Sequence, residues 1–197
     1  RMYGSIPIAD VNFPTTATPE QVKVYRQPVD SVVNYIAGLI DQSVEQQEGG
    51  GLPDKIINEA TELGRITKVA ALSIKARVLV TAASPLFNGN TDYASLKNNN
   101  GVVLFNQTYD QKKWERAEAA CKAAIDAAEA AGVKLYHFDG SLSGADSTIQ
   151  TEMSIRNAIC EKWNSELIWG TTDGGDPSRW MQLFACTEFD PNNITLH

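Results

Sequence analysis

Residues 64–89 read GRITKVAALSIKARVLVTAASPLFNG, and this stretch decides the fold. Apolar residues and alanines cover most of the circumference of a helix running from residue 64 to residue 84. A helix that is apolar over most of its surface is usually buried on several sides. Pro85 forces the preceding residue out of helical geometry, so the helix is predicted to stop at Ser84. The stretch therefore predicts a central helix with neighbours on more than one side.

Three further helices are predicted around this central helix, which is the second in chain order. The first begins near Pro28, a residue favoured at the first helical position, and ends at the glycine run 49–51. The third begins at Asp110, whose carboxylate can accept orphan backbone N–H groups, and ends at Gly132. The fourth and weakest covers residues 149–163.

The apolar residues of the first, third and fourth helices recur at steps of three and four, which places them on one face of each helix. The predicted seams are Val29, Val33, Ile36, Ile40 and Val44; Trp114, Ala117, Cys121, Ala124, Ala128 and Ala131; and Met153, Ile155, Ile159 and Trp163. We therefore expect Trp114 and Trp163 in the core. The dense alanines of the third helix predict a close approach to a neighbouring helix.

Helix starts near residues 28, 65, 111 and 149 indicate two antiparallel hairpins. This order resembles the helix–turn–helix pattern of tetratricopeptide repeats, although their regular period of about 34 residues is not kept. The predicted fold class is all-α, with tetratricopeptide-like helical hairpins and long loops. Repeats of this kind stack and present extended surfaces for binding.

Composition divides the chain into three regions. Residues 1–26 contain several prolines and threonines and are predicted to form an extended arm. Residues 27–163 carry the predicted helical hairpins, and residues 164–197 are loop-rich and are expected to face a ligand. Because both ends of the sequence look cut, we interpret the chain as an internal segment of a longer protein.

The connection over residues 85–108 is long for a compact domain, and long loops are often functional. It carries the aromatic residues Phe87, Tyr93 and Phe105 among many asparagines. Either these side chains pin the loop to itself, or they touch a ligand or a partner.

Charge and cysteine content narrow the classes of function. The 197 residues include 17 basic and 24 acidic side chains, which gives a net charge of −7. This balance argues against non-specific nucleic-acid binding, which needs a basic surface. No apolar run reaches the ~20 residues of a membrane-spanning helix. Cys121, Cys160 and Cys186 make neither a disulfide framework nor a set of zinc ligands.

No catalytic motif stands out in the sequence. It has no phosphate-binding or dinucleotide-binding glycine pattern and no Gly-x-Ser-x-Gly elbow. Asp173 and Asp176 are loop carboxylates, but their spacing matches no established calcium loop, and nothing marks them as a glycosidase pair. We therefore expect no catalytic residue, no metal ion and no cofactor.

Four segments, in order, resemble the SusD/RagB family, the surface glycan-binding lipoproteins of Bacteroidota. Residues 64–89 are similar to the family string GR.TK.AAL..KARVL..AASPLFNG. Met2–Ile8 resembles its RYGGVPL segment, Tyr109–Ala117 its YD..KW..A helix start, and Glu166–Trp169 its EIIW segment. Together these segments cover nearly the whole chain.

The resemblance implies a SusD-like α superhelical scaffold in a protein that is anchored by lipid to the outer face of the outer membrane. Such proteins cover a SusC-like TonB-dependent transporter and capture glycans, or peptides in some members. The implied ligand is therefore an oligosaccharide of the starch type, and the implied partner is that transporter. The lipid anchor would lie outside this segment. Ligand contacts in the family come mostly from loops outside the repeats.

The segment 169–182 contains the side chains that sugar recognition needs. Aromatic faces contact the C–H side of a sugar ring, and planar polar groups bind its hydroxyls. In the family, ligand contacts often follow the EIIW-like segment, whose Leu167–Trp169 part is predicted to be extended. The predicted ligand-binding residues are Trp180 as the main platform, with Arg179, Asp176, Asp173 and Trp169.

Two alternatives remain open at this point. One is a peptide-capturing member of the same family, and the other is a pure protein-interaction module of helical repeats. An exposed aromatic platform after residue 169 favours sugar binding, whereas a fully buried Trp180 favours the interaction module.

Overall fold

The computed structural model describes residues 4–45, 51–140, 146–170 and Thr172, and over these residues the protein is all-α. Extended pairing within them is confined to two isolated bridges, Pro7–Arg26 and Lys97–Val103. The predicted all-α class is therefore confirmed. The helices are α1 (Val29–Val44), α2 (Glu59–Glu62), α3 (Lys68–Ala83), α4 (Lys112–Ala130) and α5 (Ser147–Cys160).

Helix α3 packs against both α1 and α4, as the prediction of a central helix requires. It begins at Lys68, later than predicted, because the Thr67 side chain accepts a hydrogen bond from the Ala70 N–H at 3.3 Å and caps the helix there. It ends at Ala83, and Ser84 adopts extended backbone angles, as the following proline predicts.

The contact between α3 and α4 is built from small side chains. Its buried cluster joins Ala76, Leu79 and Ala83 of α3 to Ala117, Ala120 and Ala124 of α4. Because alanine leaves little between two backbones, the helices approach closely, as the alanine-rich sequence of α4 predicts. Cys121 is half-buried against this cluster and behaves as a small apolar side chain.

Trp114 is not part of this core, which corrects the prediction. Its side chain is 39% exposed, because the stripe of α4 that contacts α3 runs through Ala117, Ala120 and Ala124 and leaves Trp114 to one side. Helix α4 begins at Lys112 with Gln111 at its N-cap position, one residue later than predicted. The Asp110 carboxylate accepts a hydrogen bond from the Lys112 N–H at 3.0 Å and so caps the helix.

The loop between α3 and α4 is pinned by its own aromatic side chains. The Phe105 ring stacks on both Phe87 and Tyr93, with ring centroids 5.8 Å and 4.8 Å apart. Leu104 is almost completely buried beside them, and its carbonyl accepts a hydrogen bond from the Val29 N–H at 2.9 Å. The loop therefore closes over the first turn of α1.

Helix α5 does not form the second predicted hairpin, since it contacts no other helix of the described residues. Its neighbour is the chain that follows α4. In this contact the Phe138 N–H donates to Ser154 Oγ at 3.0 Å, and the Lys134 N–H donates to the Ser165 carbonyl at 3.0 Å. The predicted seam of α5 is consequently wrong: Ile155 is 66% exposed and Ile159 is 87% exposed.

A side-chain hydrogen bond in this contact changes the pKa of a tyrosine, and this change can be measured. The Tyr136 hydroxyl donates to the Glu161 carboxylate, and this hydrogen bond raises the pKa of Tyr136 above its ordinary value. Because the folded pKa is raised, the link contributes below pH ~10 and is lost as the pH rises through the pKa of Tyr136. Glu161→Gln should therefore move the Tyr136 transition down in an ultraviolet titration. Tyr136→Phe identifies that transition by removing it, and an unchanged curve in Glu161→Gln would refute the assignment.

Candidate functional site around Trp169

Among the five predicted ligand-binding residues, Trp169 lies within the described part of the chain. Its side chain is 48% exposed, and its indole N–H donates to the Gly64 carbonyl at 2.9 Å. One edge of the ring is thus held by the protein while about half of the side chain meets solvent. The other four predicted residues lie outside the described residues, and their predicted roles stay predictions. These are Asp173, Asp176, Arg179 and Trp180.

The carbonyl that holds Trp169 belongs to the turn between α2 and α3. Gly64 has a φ of +85°, a conformation that glycine adopts without steric cost. A Cβ at this position would lie 3.0 Å from Thr172 Oγ1, so the missing side chain also allows Thr172 to approach. Gly64, the first residue of the stretch 64–89, therefore anchors the start of the segment 169–182, which the sequence predicts to bind the ligand.

An open groove of about 480 Å³ adjoins this anchor. Arg65, which directly follows Gly64, lines the groove, and its guanidinium lies 2.7 Å from the Glu62 carboxylate. The Arg65 side chain is 64% exposed, so its remaining N–H groups can reach a ligand. The other described lining residues are Ser43, Gly51, Leu52, Pro53 and Ile66.

The chain from residue 161 to residue 166 forms a double turn, and the predicted extended segment Leu167–Trp169 forms no strand and contains a bend at Ile168. Asn164 organises this turn. Its amide group donates to the Ala158 and Glu161 carbonyls at 2.8 Å and 2.9 Å, and its side-chain oxygen accepts from the Glu166 N–H at 2.9 Å. Such short-range hydrogen bonds are typical of asparagine, whose side chain binds nearby backbone groups in turns.

The prediction that Trp163 lies in the core is also wrong. Helix α5 ends at Cys160, so Trp163 lies beyond the last turn and is 39% exposed. The position of a Cβ on Gly170 would be 3.6 Å from the edge of the Trp163 ring. The sequence does signal a break at Asn164, but that signal gives no direction for the preceding side chain.

Four apolar side chains in and after this turn are partly exposed. Trp163, Leu167, Ile168 and Trp169 are each between 39% and 48% exposed. Two described carboxylates of this region are hydrogen-bonded: Glu161 accepts from the Tyr136 hydroxyl, and Glu166 accepts from the Tyr136 N–H at 3.1 Å. Such a surface suits a ligand with apolar faces and no charge requirement.

Two features are absent from the described ranges of the chain. Within these ranges no group of three or more His, Cys, Asp or Glu residues is placed to hold a metal ion. None of the helices in the same ranges is long and apolar enough to cross a membrane.

This all-α arrangement is also found in solved structures. Two structures of the Bacteroides thetaiotaomicron protein BT4246, one in its selenomethionine form, are similar to the chain at 32% and 30% identity. Their TM-scores are 0.68 and 0.70, and each similarity covers 88% of this chain. The chain spans 32% and 31% of those two chains, or about a third of their length. The similarity points to a protein of the Bacteroidota.

The sequence matches no protein-family model and no curated protein.

Proposed function

We propose that this protein is a SusD/RagB-type binding protein that captures an oligosaccharide and delivers it to a SusC-like TonB-dependent transporter. The observation that carries the proposal is the geometry of Trp169, whose N–H is bound to Gly64 while about half of the side chain is exposed. The family resemblance in the sequence and the likeness to a Bacteroides protein support it. The proposed location is the outer face of the outer membrane, through a lipid anchor outside these 197 residues.

The proposed mechanism is capture on surfaces that are already in place. An indole face attracts the C–H side of a sugar ring, and this contact excludes water from both partners. Because Trp169 is held by its hydrogen bond to Gly64, little side-chain freedom remains to be lost when the sugar binds. Arg65 offers planar N–H donors to sugar hydroxyls in the adjoining groove.

We place the protein among binding proteins and not among enzymes. Among the described residues of this region, the carboxylates of Glu161 and Glu166 are hydrogen-bonded to Tyr136. A glycosidase instead needs two carboxyl groups that face each other across the scissile bond, about 5–10 Å apart.

The pure protein-interaction module has one observation in its favour. Ile155 and Ile159 of α5 are strongly exposed, and exposed apolar residues one helical turn apart suit a protein partner. Peptide capture by the same aromatic surface is the other alternative. Both are distinguished from glycan binding by the following experiment.

Isothermal titration calorimetry of the full chain against amylopectin, xyloglucan, galactomannan and levan tests the proposal. We expect saturable binding to one of these polysaccharides. Trp169→Ala should weaken that binding about tenfold or more, a loss of about 1.4 kcal/mol. Trp180→Ala is measured in parallel, because the sequence predicts Trp180 as the main platform.

Trp114→Ala is the matched control for Trp169→Ala, since Trp114 is an exposed tryptophan on α4 outside the proposed site. It should bind as the wild type does. If Trp169→Ala and Trp114→Ala bind equally, Trp169 is not a ligand residue. If the wild type binds none of the four polysaccharides, the glycan proposal fails, and peptide capture or a protein partner takes its place.

A further inference from the structure

Trp163 is a partly exposed tryptophan close to Trp169. Its ring edge rests against Gly170, next to Trp169, and 39% of the side chain meets solvent. Neither of these two indoles stacks on another ring among the aromatic pairs of the described residues. No other described ring covers either indole, and both residues remain partly exposed.

The backbone of Trp163 is also unusual. Its φ is +54°, and Trp163 is the one residue other than glycine with a positive φ in the described part of the chain. The left-handed conformation costs an L-residue about 1–2 kcal/mol, and glycine or asparagine fills such a position at lower cost. A bulky residue in this conformation is a genuine outlier, and outliers of this kind cluster at ligand sites.

The turn around Trp163 is built to hold this conformation. Asn164, the next residue, binds the Ala158 and Glu161 carbonyls through its amide group, and the Leu167 N–H donates to the Asn164 carbonyl at 3.2 Å. These hydrogen bonds fix the backbone on both sides of the strained residue. None of them uses the indole, so the fold of the turn does not require a tryptophan at this position.

We propose that Trp163 is a second sugar-contacting residue, presented beside Trp169 by the left-handed backbone of the turn. This inference rests on the proposed glycan-binding function and adds a residue that the sequence assigns to the core. The Trp163 ring edge lies beside Gly170, the residue that follows Trp169, so the two indoles give the site two aromatic platforms. The class of ligand that fits them is an uncharged oligosaccharide of at least two sugar rings.

Trp163→Gly separates a binding role from a structural one, because glycine relieves the positive φ while it removes the indole. We expect the melting temperature to stay within about 4 °C of the wild type or to rise. In calorimetry against the same four polysaccharides, we expect the affinity of the variant to fall about tenfold or more. Trp163→Phe keeps an aromatic face and should recover part of that loss.

Two results would overturn the inference while leaving the proposed function in place. One is a wild type that binds and a Trp163→Gly variant that binds equally well. The other is a melting temperature that falls by more than about 4 °C, which would show that the indole stabilises the turn. Absence of binding by the wild type would instead overturn the proposed function, and the inference with it.

Discussion

Replacing Gly89 by alanine is expected to destabilise the protein by about 3 kcal/mol. Gly89 has a φ of +84°, which alone costs an alanine about 1–2 kcal/mol. The added Cβ would also lie 2.9 Å from the backbone nitrogen of Tyr109 and 3.1 Å from its Cα. Because these are backbone atoms just before α4, they cannot rotate away as a side chain would.

Gly101→Ala is the matched control for this substitution. Gly101 has a φ of +80°, but a Cβ there would meet nothing within 4 Å. It should therefore cost only the backbone part, about 1–2 kcal/mol. The free energies of unfolding of both variants are measured by urea denaturation. Equal losses in the two variants would show that the close approach to Tyr109 is unimportant.

Asn88→Ala is expected to cost about 1–3 kcal/mol, since it leaves the Asp110 N–H without a partner, whereas the Asp110 carbonyl keeps its hydrogen bond from the Lys113 N–H at 3.3 Å. Asn88 is 4% exposed. Its side-chain oxygen accepts from the Asp110 N–H at 2.8 Å, and its amide group donates to the Asp110 carbonyl at 3.0 Å. Because the Asp110 carboxylate caps α4, the loss should also increase amide hydrogen exchange in the first turn of that helix.

Asn90→Ala is the control for this second substitution. The Asn90 side chain accepts one exposed hydrogen bond, from the Asp92 N–H at 2.8 Å, and its removal should cost less than about 1 kcal/mol. The same urea denaturation compares the two variants. Similar losses of unfolding free energy in the two variants would show that the hydrogen bonds between Asn88 and the Asp110 backbone are unimportant for stability.

Asn88 and Gly89 are the last two residues of the stretch 64–89, and both have a structural role. They close the long loop onto the start of α4, while Phe87 stacks on Phe105 within the loop. The asparagine and the glycine therefore serve the scaffold. On this basis we expect their replacement to lower stability in the absence of any ligand.

The beginning of the same stretch has a different role. Gly64 holds the indole of Trp169, which is far away in the sequence, and Arg65 lines the adjoining groove. Helix α3 lies between Gly64 and Asn88, which hydrogen-bonds to the Asp110 backbone. One continuous segment thus fixes both the long loop and the proposed ligand surface to a single buried helix.

The sequence by itself determined the all-α class and several helix ends. The stop at Ala83 before Pro85 and the cap by Asp110 follow from local chemistry. So does the end of α4, where the Gly132 N–H donates to the Glu129 carbonyl at 3.0 Å. Each of these signals acts within a few residues along the chain, so it can be interpreted without knowledge of the rest of the fold.

Only the tertiary structure decided which apolar faces are covered. Trp114 and Trp163 carry the spacing of core residues, yet both are exposed, because no described segment packs over them. In the same way, α5 takes the chain after α4 as its neighbour, and Trp169 binds a carbonyl that precedes α3. Burial depends on contacts between residues distant in sequence, and periodicity along one helix contains no information about which distant segment will cover it.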